Sequence, residues 1–134
     1  METESVLYRK GFGLKKQVKG DIQQHYHSEL ITYLISHGNE MQFGDVHVYL
    51  AQDFGFCYGV DRAVEYAYQT RVKFPDRNIY LIGEIIHNPF VNSQITRMRI
   101  EILDGLNQKS IDFSFLQPED VVIIPAFGVH HETL

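Results

Sequence analysis

Two short turns in the sequence carry side chains that could do chemistry, and each lies between a predicted strand and a predicted helix. Cys57 stands in the first turn, within the sequence GFCYG at residues 55–59, where the two glycines allow tight backbone geometry. At a helix N-terminus, the helix dipole and the free backbone N–H groups favour a thiolate. A metal ion, an iron–sulfur cluster or a nucleophilic mechanism each requires this ionised form of the cysteine.

The second turn, GEIIHNP at residues 83–89, holds His87 just before a predicted helix. An imidazole beside free helix N–H groups suits an anionic ligand such as phosphate, and the plainer alternative is a histidine that only caps the turn. A third turn follows the last predicted strand and contains Gly128, with His130 and His131 directly after it. This histidine pair is a weaker candidate than His87.

These residues alone leave three classes of function open. The first is a metal or iron–sulfur redox site that uses Cys57, with His87 holding an anion. The second is a thiol enzyme, in which Cys57 is the nucleophile and His87 its base. The third is a binding module without chemistry, in which alanine could replace Cys57. Metal content separates the first class from the other two.

Hydrophobic periodicity predicts an α/β fold with a mostly parallel sheet and flanking helices, preceded by a helical N-terminal extension. Residues 1–40 form the predicted extension with one helix, and residues 41–134 form the α/β lobe. Because ligands of parallel α/β sheets bind beyond the carboxyl ends of the strands, the three turns are expected to meet at one edge. The predicted helices cover 22–37, 60–73 and 90–98, with another beginning at 130, and the predicted strands cover 46–51, 78–82, 100–102 and 121–124.

Composition narrows the choice of protein class. The chain has 134 residues, the size of a single domain, and its single cysteine excludes a disulfide framework. Its apolar runs are far shorter than the ~20 residues of a membrane span, and its first residues do not resemble an export signal, so we expect a cytoplasmic protein. Residues 1–20 carry a net charge of +3 and residues 21–134 carry −8. An acidic body with a short basic arm argues against nucleic-acid binding.

The motifs resemble one enzyme family in their order and spacing. The sequences FGFCYGVDRA at 54–63, GEIIHNP at 83–89 and PAFG at 125–128 are similar to those of 4-hydroxy-3-methylbut-2-enyl diphosphate reductase, the LytB/IspH family. The sequences RKGFG at 9–13 and GNE at 38–40 resemble the N-terminal extension of its plant and cyanobacterial branch. The resemblance covers nearly the whole chain.

The resemblance implies a function in the non-mevalonate isoprenoid pathway. The family removes the allylic hydroxyl of its diphosphate substrate with two electrons and two protons, giving isopentenyl and dimethylallyl diphosphates. Its 4Fe-4S cluster is held by three cysteines, one from each of three α/β lobes. By resemblance, Cys57 is the first cluster ligand, His87 contacts the substrate diphosphate, and a ferredoxin or flavodoxin donates the electrons. Phe127 stands where many bacterial members carry a second diphosphate-binding histidine, so we do not expect it to contact the diphosphate.

The resemblance also implies that this chain corresponds to the first lobe of the three-lobed enzyme together with its extension. The second and third cysteines, the acidic proton donor and the Ser and Asn residues of the diphosphate pocket have no counterpart in it. We therefore assign no catalytic residue within the chain and expect its partners to include the remaining lobes. Residues 1–134 alone are expected to be inactive as a reductase.

Overall fold

The computed structural model describes residues 6–103 and 112–125, which contain helices and a parallel sheet. The helices are α1 (Lys15–His25), α2 (Glu29–Ser36), α3 (Tyr58–Lys73) and α4 (Pro89–Arg97). The strands are β1 (Glu40–Phe43), β2 (Val46–Tyr49), β3 (Ile79–Ile82), β4 (Ile100–Leu103) and β5 (Val121–Ile123). The helix predicted to begin at residue 130 lies outside the described residues. No helix in the described ranges combines the length and apolarity that crossing a bilayer demands.

The central sheet has three parallel strands in the order β4-β3-β5. Ile79 of β3 lies opposite Ile100 of β4 on one side and Val121 of β5 on the other. The middle strand is the most apolar and the most buried, as expected for a parallel strand covered by helices. The predicted α/β class with a parallel sheet and flanking helices is confirmed.

The strand predicted over 46–51 was wrongly placed in this sheet. It forms β2, which pairs with β1 in a separate antiparallel hairpin, with Phe43 opposite Val46. Gly44, with φ of +59°, is the first of two turn residues and adopts the left-handed region that such tight turns need. A two-residue turn brings neighbouring strands together directly, whereas parallel pairing needs a long crossover connection. The Cys57 turn therefore follows a hairpin strand.

The single helix predicted over 22–37 is two helices in the structure. The chain leaves α1 after His25 and starts α2 at Glu29. Ser28 is the N-cap of α2, and its side-chain oxygen accepts a hydrogen bond from the N–H of Ile31 at 3.4 Å. A serine side chain satisfies a free N–H group at a helix start, which favours a new helix at this point.

The core lies between α3, α4 and the sheet, and α1 contributes the fully buried Val18. Buried polar side chains join the N-terminal segment to α3, and among them Gln69 accepts hydrogen bonds from the N–H groups of Phe12 (3.0 Å) and Leu14 (3.2 Å). The buried side chains of the hydrophobic core are those of Val18, Val60, Val64, Ala67, Tyr68, Ile79, Leu81, Ile85, Val91, Ile95 and Ile100.

Candidate functional site

Cys57 is the N-cap residue of α3, with extended backbone angles of −64° and 158°. Its carbonyl accepts the first helical hydrogen bond, from the N–H of Asp61 at 3.0 Å. Its thiol makes no capping hydrogen bond, is exposed and is not in a disulfide. Gly55 has φ of +107°, a conformation that side chains with a Cβ rarely adopt. The local fold therefore presents a free thiol at the start of a long helix.

The second turn begins directly after β3, at Gly83 with φ of +70°. Within it, His87 Nδ1 lies 2.6 Å from Glu84 Oε2. Because an ionised carboxylate only accepts hydrogen bonds, Nδ1 is the donor, and the other ring nitrogen, Nε2, makes no hydrogen bond to the part of the chain that the structure describes. The His87 side chain is 82% exposed. Glu84 therefore orients the imidazole and leaves Nε2 available to a ligand.

Backbone N–H groups at the start of α4 donate hydrogen bonds to a side chain of the same turn. Asn88 is its N-cap, and Asn88 Oδ1 accepts hydrogen bonds from the N–H groups of Phe90 (3.0 Å) and Val91 (3.1 Å). Pro89 at the first helical position has no N–H group to offer. These two amides are therefore not free for an anion, contrary to the expectation from the sequence.

The two turns lie at the same end of the α/β layer. Residues 74–78 form a short connection between α3 and β3, and both elements share one core, so α3 runs back along β3. The N-terminus of α3 is thus near the carboxyl end of β3. The ring of Tyr26 contacts both turns, with its centroid 5.6 Å from that of Phe56 and 5.7 Å from that of Phe90.

A thiol–base pair is not formed between the two candidate residues. The hydrogen-bond partner of His87 is Glu84, and within the described ranges no hydrogen bond joins Cys57 to His87. In the same ranges, no cluster of three or more His, Cys, Asp or Glu residues could hold a metal ion by itself. A metal ion bound by Cys57 would therefore need further ligands from outside these ranges.

The third predicted turn, with Phe127, Gly128, His130 and His131, lies outside the described residues. The structure therefore brings together two of the three turns expected to meet. Sequence reasoning missed Glu84 and Tyr26 as residues that contact the site. Glu84 lies three positions before His87 in the same motif, which is a usable signal, whereas Tyr26 is distant in sequence and gives none.

Burial sets the electrostatics around Tyr26. Loss of hydration raises the pKa of Tyr26, because the charged phenolate is disfavoured away from water. Burial also raises the pKa of Tyr68, and the charge of an ionised Tyr26 nearby adds to the effect. Tyr68 Oη lies 2.8 Å from His25 Nδ1. Both phenols are therefore neutral over the physiological range of pH.

Comparison with known proteins gives a consistent result. The family described as LytB protein matches residues 48–134. A 4-hydroxy-3-methylbut-2-enyl diphosphate reductase from Thermosynechococcus vestitus is 47% identical over 121 residues, and one from a Picosynechococcus species is 48% identical over 124 residues. A third, from a Cyanothece species, is 44% identical over 128 residues.

The matched regions cover 90–96% of this chain but only 30–32% of these relatives. The chain thus spans about a third of the length of the curated relatives it matches. No solved structure matches it. Because the family match covers well over half of the chain and includes both turns, the chain belongs to the LytB protein family.

Proposed function

We propose that this chain is part of a 4-hydroxy-3-methylbut-2-enyl diphosphate reductase of the non-mevalonate isoprenoid pathway. It contributes Cys57 as one ligand of a 4Fe-4S cluster and His87 as a ligand of the substrate diphosphate. The observation that supports this best is the presence of an exposed thiol and an exposed imidazole, oriented by Glu84, on turns at the same end of the layer. The enzyme works in the cytoplasm, with a ferredoxin or flavodoxin as electron donor.

Cys57 suits a cluster ligand because α3 does not use its thiol. The side chain is exposed and makes no capping bond, so it is free to bind iron as a thiolate. The chain has one cysteine, so the other thiolates come from the remaining lobes. When bound, the cluster supplies the electrons for removal of the allylic hydroxyl and an iron that acts as a Lewis acid.

His87 suits a diphosphate ligand because its orientation is set by Glu84. With Nδ1 engaged at 2.6 Å, a protonated ring donates its remaining hydrogen from Nε2 to a diphosphate oxygen. Such a charge-assisted hydrogen bond is stronger than a neutral one. The Glu84 carboxylate holds Nδ1 and thereby fixes the orientation of the ring, which leaves Nε2 for the diphosphate.

The test uses a chimaera in which this chain replaces the matched 121 residues of the Thermosynechococcus vestitus relative. After anaerobic reconstitution, Cys57→Ser should lower the iron and sulfide content and the turnover. His87→Ala should keep the iron and weaken the affinity for inorganic diphosphate by roughly ten- to a hundredfold, the loss of one charge-assisted hydrogen bond. His47→Ala, an exposed histidine on β2, is the matched control and should change neither property.

Full iron content and activity in Cys57→Ser would contradict the assignment of Cys57 as a cluster ligand. Unchanged iron content and turnover in Cys57→Ala would contradict it as well. Loss of iron in His87→Ala with diphosphate affinity intact would reverse the assignment of His87. A separate assay uses residues 1–134 alone with a reduced electron donor. We expect no turnover, because one thiolate does not complete the ligand set of a cluster. Sustained turnover would refute the three-lobe interpretation.

A further inference from the structure

One aromatic side chain from the N-terminal segment lies between the two candidate turns. Tyr26 is the C-cap residue of α1. Its ring meets Phe56, which immediately precedes Cys57, at an interplanar angle of 78°, and it meets Phe90, in the first turn of α4, at 77°. Edge-to-face pairs at these separations are favourable beyond the area that they bury. Tyr26 is thus the aromatic partner that the two turns share.

The segment that carries Tyr26 is fixed to α3 at several points. The side chain of the preceding residue, His25, lies within hydrogen-bond distance of Tyr68 on α3, at 2.8 Å. Lys15, at the start of α1, forms an ion pair with Glu65 of α3 at 2.8 Å. Val18, between them, is fully buried in the core. These contacts fix the position of Tyr26 relative to α3, so its ring can in turn fix the positions of the two phenylalanines.

The two phenylalanines lie outside the buried core. Phe56 is 38% exposed and Phe90 is 51% exposed, and neither belongs to the buried core. They lie far apart in sequence, Phe56 just before α3 and Phe90 in the first turn of α4, so the ring of Tyr26 connects them across the fold. If one turn shifts, this ring must shift too or lose a favourable contact.

We propose that Tyr26 is a positioning residue that couples the Cys57 turn to the His87 turn. The chemical roles of Cys57 and His87 rest on the proposed function, whereas the coupling itself does not. The N-terminal segment thereby sets the spacing of the two functional side chains although it supplies neither of them. The aromatic ring of Tyr26 makes both contacts. Tyr26→Phe should therefore preserve the coupling of the two turns, and Tyr26→Ala should remove it.

Amide hydrogen exchange of the complete chain tests this proposal without iron or substrate. The reporter of the first turn is the N–H of Asp61, bonded to Cys57, and the reporter of the second is the N–H of Val91, bonded to Asn88. In Tyr26→Ala, both amides should exchange about tenfold faster, because each turn loses one aromatic contact. In Tyr26→Phe, both should exchange as in the parent chain.

The matched control is Phe74→Ala at the other end of α3. Phe74 also makes two edge-to-face contacts, with Tyr8 at 5.9 Å and with Phe12 at 5.7 Å. Its replacement removes two aromatic contacts, and the cation–π contact with Arg77, at the end of α3 opposite the Cys57 turn, so it should leave the two reporter amides protected. If Tyr26→Ala does not fold, Tyr26→Leu, which keeps apolar bulk without a ring, should show the same paired acceleration.

Paired acceleration in the alanine or leucine variant, with rescue by phenylalanine, supports the coupling. Parent exchange rates in Tyr26→Ala, or acceleration at only one reporter, would overturn it. Equal acceleration of both reporters by Phe74→Ala would also overturn it, because the effect would then reflect overall stability. None of these outcomes depends on reductase activity, so they are distinguishable from failure of the proposed function.

Discussion

Alanine substitution at each of the two glycines that flank Cys57 is expected to change stability in opposite directions. Gly55 has φ of +107°, and a Cβ added there would meet no atom within 4 Å. The cost of Gly55→Ala is therefore purely conformational, about 1–3 kcal/mol for a residue held in such a backbone region. Gly59 lies in the first turn of α3 with equally open surroundings. Gly59→Ala should stabilise the chain by up to about 1 kcal/mol, since alanine favours helix.

Urea denaturation followed by far-ultraviolet circular dichroism measures both free energies of unfolding against the parent chain. The two variants should differ by about 1–4 kcal/mol, which the linear extrapolation resolves. Gly55→Asn should lose less stability than Gly55→Ala, because asparagine tolerates positive φ better. Shifts in the same direction, or a Gly55→Ala variant as stable as the parent, would refute the assigned conformation of the Cys57 turn.

Three further substitutions or conditions test other parts of the fold. Asn88→Ala removes the cap of α4 and should cost about 0.5–2 kcal/mol in urea denaturation; an unchanged midpoint would contradict the capping role. Arg71 donates hydrogen bonds to five backbone carbonyls around the end of α3, so Arg71→Met should cost about 1.5–3 kcal/mol, and Arg71→Lys should recover little of it. Burial raises the pKa of Tyr26 and Tyr68 above the unfolded value of about 10, so the unfolded chain loses these protons first. The free energy of unfolding should fall as pH rises above about 10, less steeply in Tyr26→Phe, and equal slopes would argue against the burial of this phenol.

The sequence predicts those elements whose apolar spacing or turn residues lie within a short stretch of the chain. The apolar stripe over 60–68 placed α3 correctly, and Val60, Val64, Ala67 and Tyr68 of that stripe are buried. The two turns were also recognised from their glycines and from the residues that begin the following helices. Their arrangement at one end of the layer follows from the short connection between α3 and β3, which is visible in the sequence.

Other features depend on contacts that local patterns do not contain. Apolar residues recur at helical spacing on both sides of Ser28. Periodicity therefore predicted one helix where the Ser28 cap begins a second. The buried side chains of Glu65 and Gln69 break the apolar pattern of α3 because their partners come from the N-terminal segment. The contacts of Tyr26 are tertiary as well. The roles of Cys57 and His87 and the boundary near residue 40 stay predictions.

The hydrogen bonds that Gln69 accepts have a consequence for folding during synthesis. Gln69 and Phe12 are separated by 57 positions in the chain. At about 5–20 residues per second, a ribosome needs roughly 3–11 s after adding Phe12 before it adds Gln69. Until α3 emerges from the ribosome, the segment around Phe12 therefore lacks the partner of its backbone N–H groups. Slowing translation between these two positions would prolong the time during which Val18 and its neighbours are exposed to chaperones.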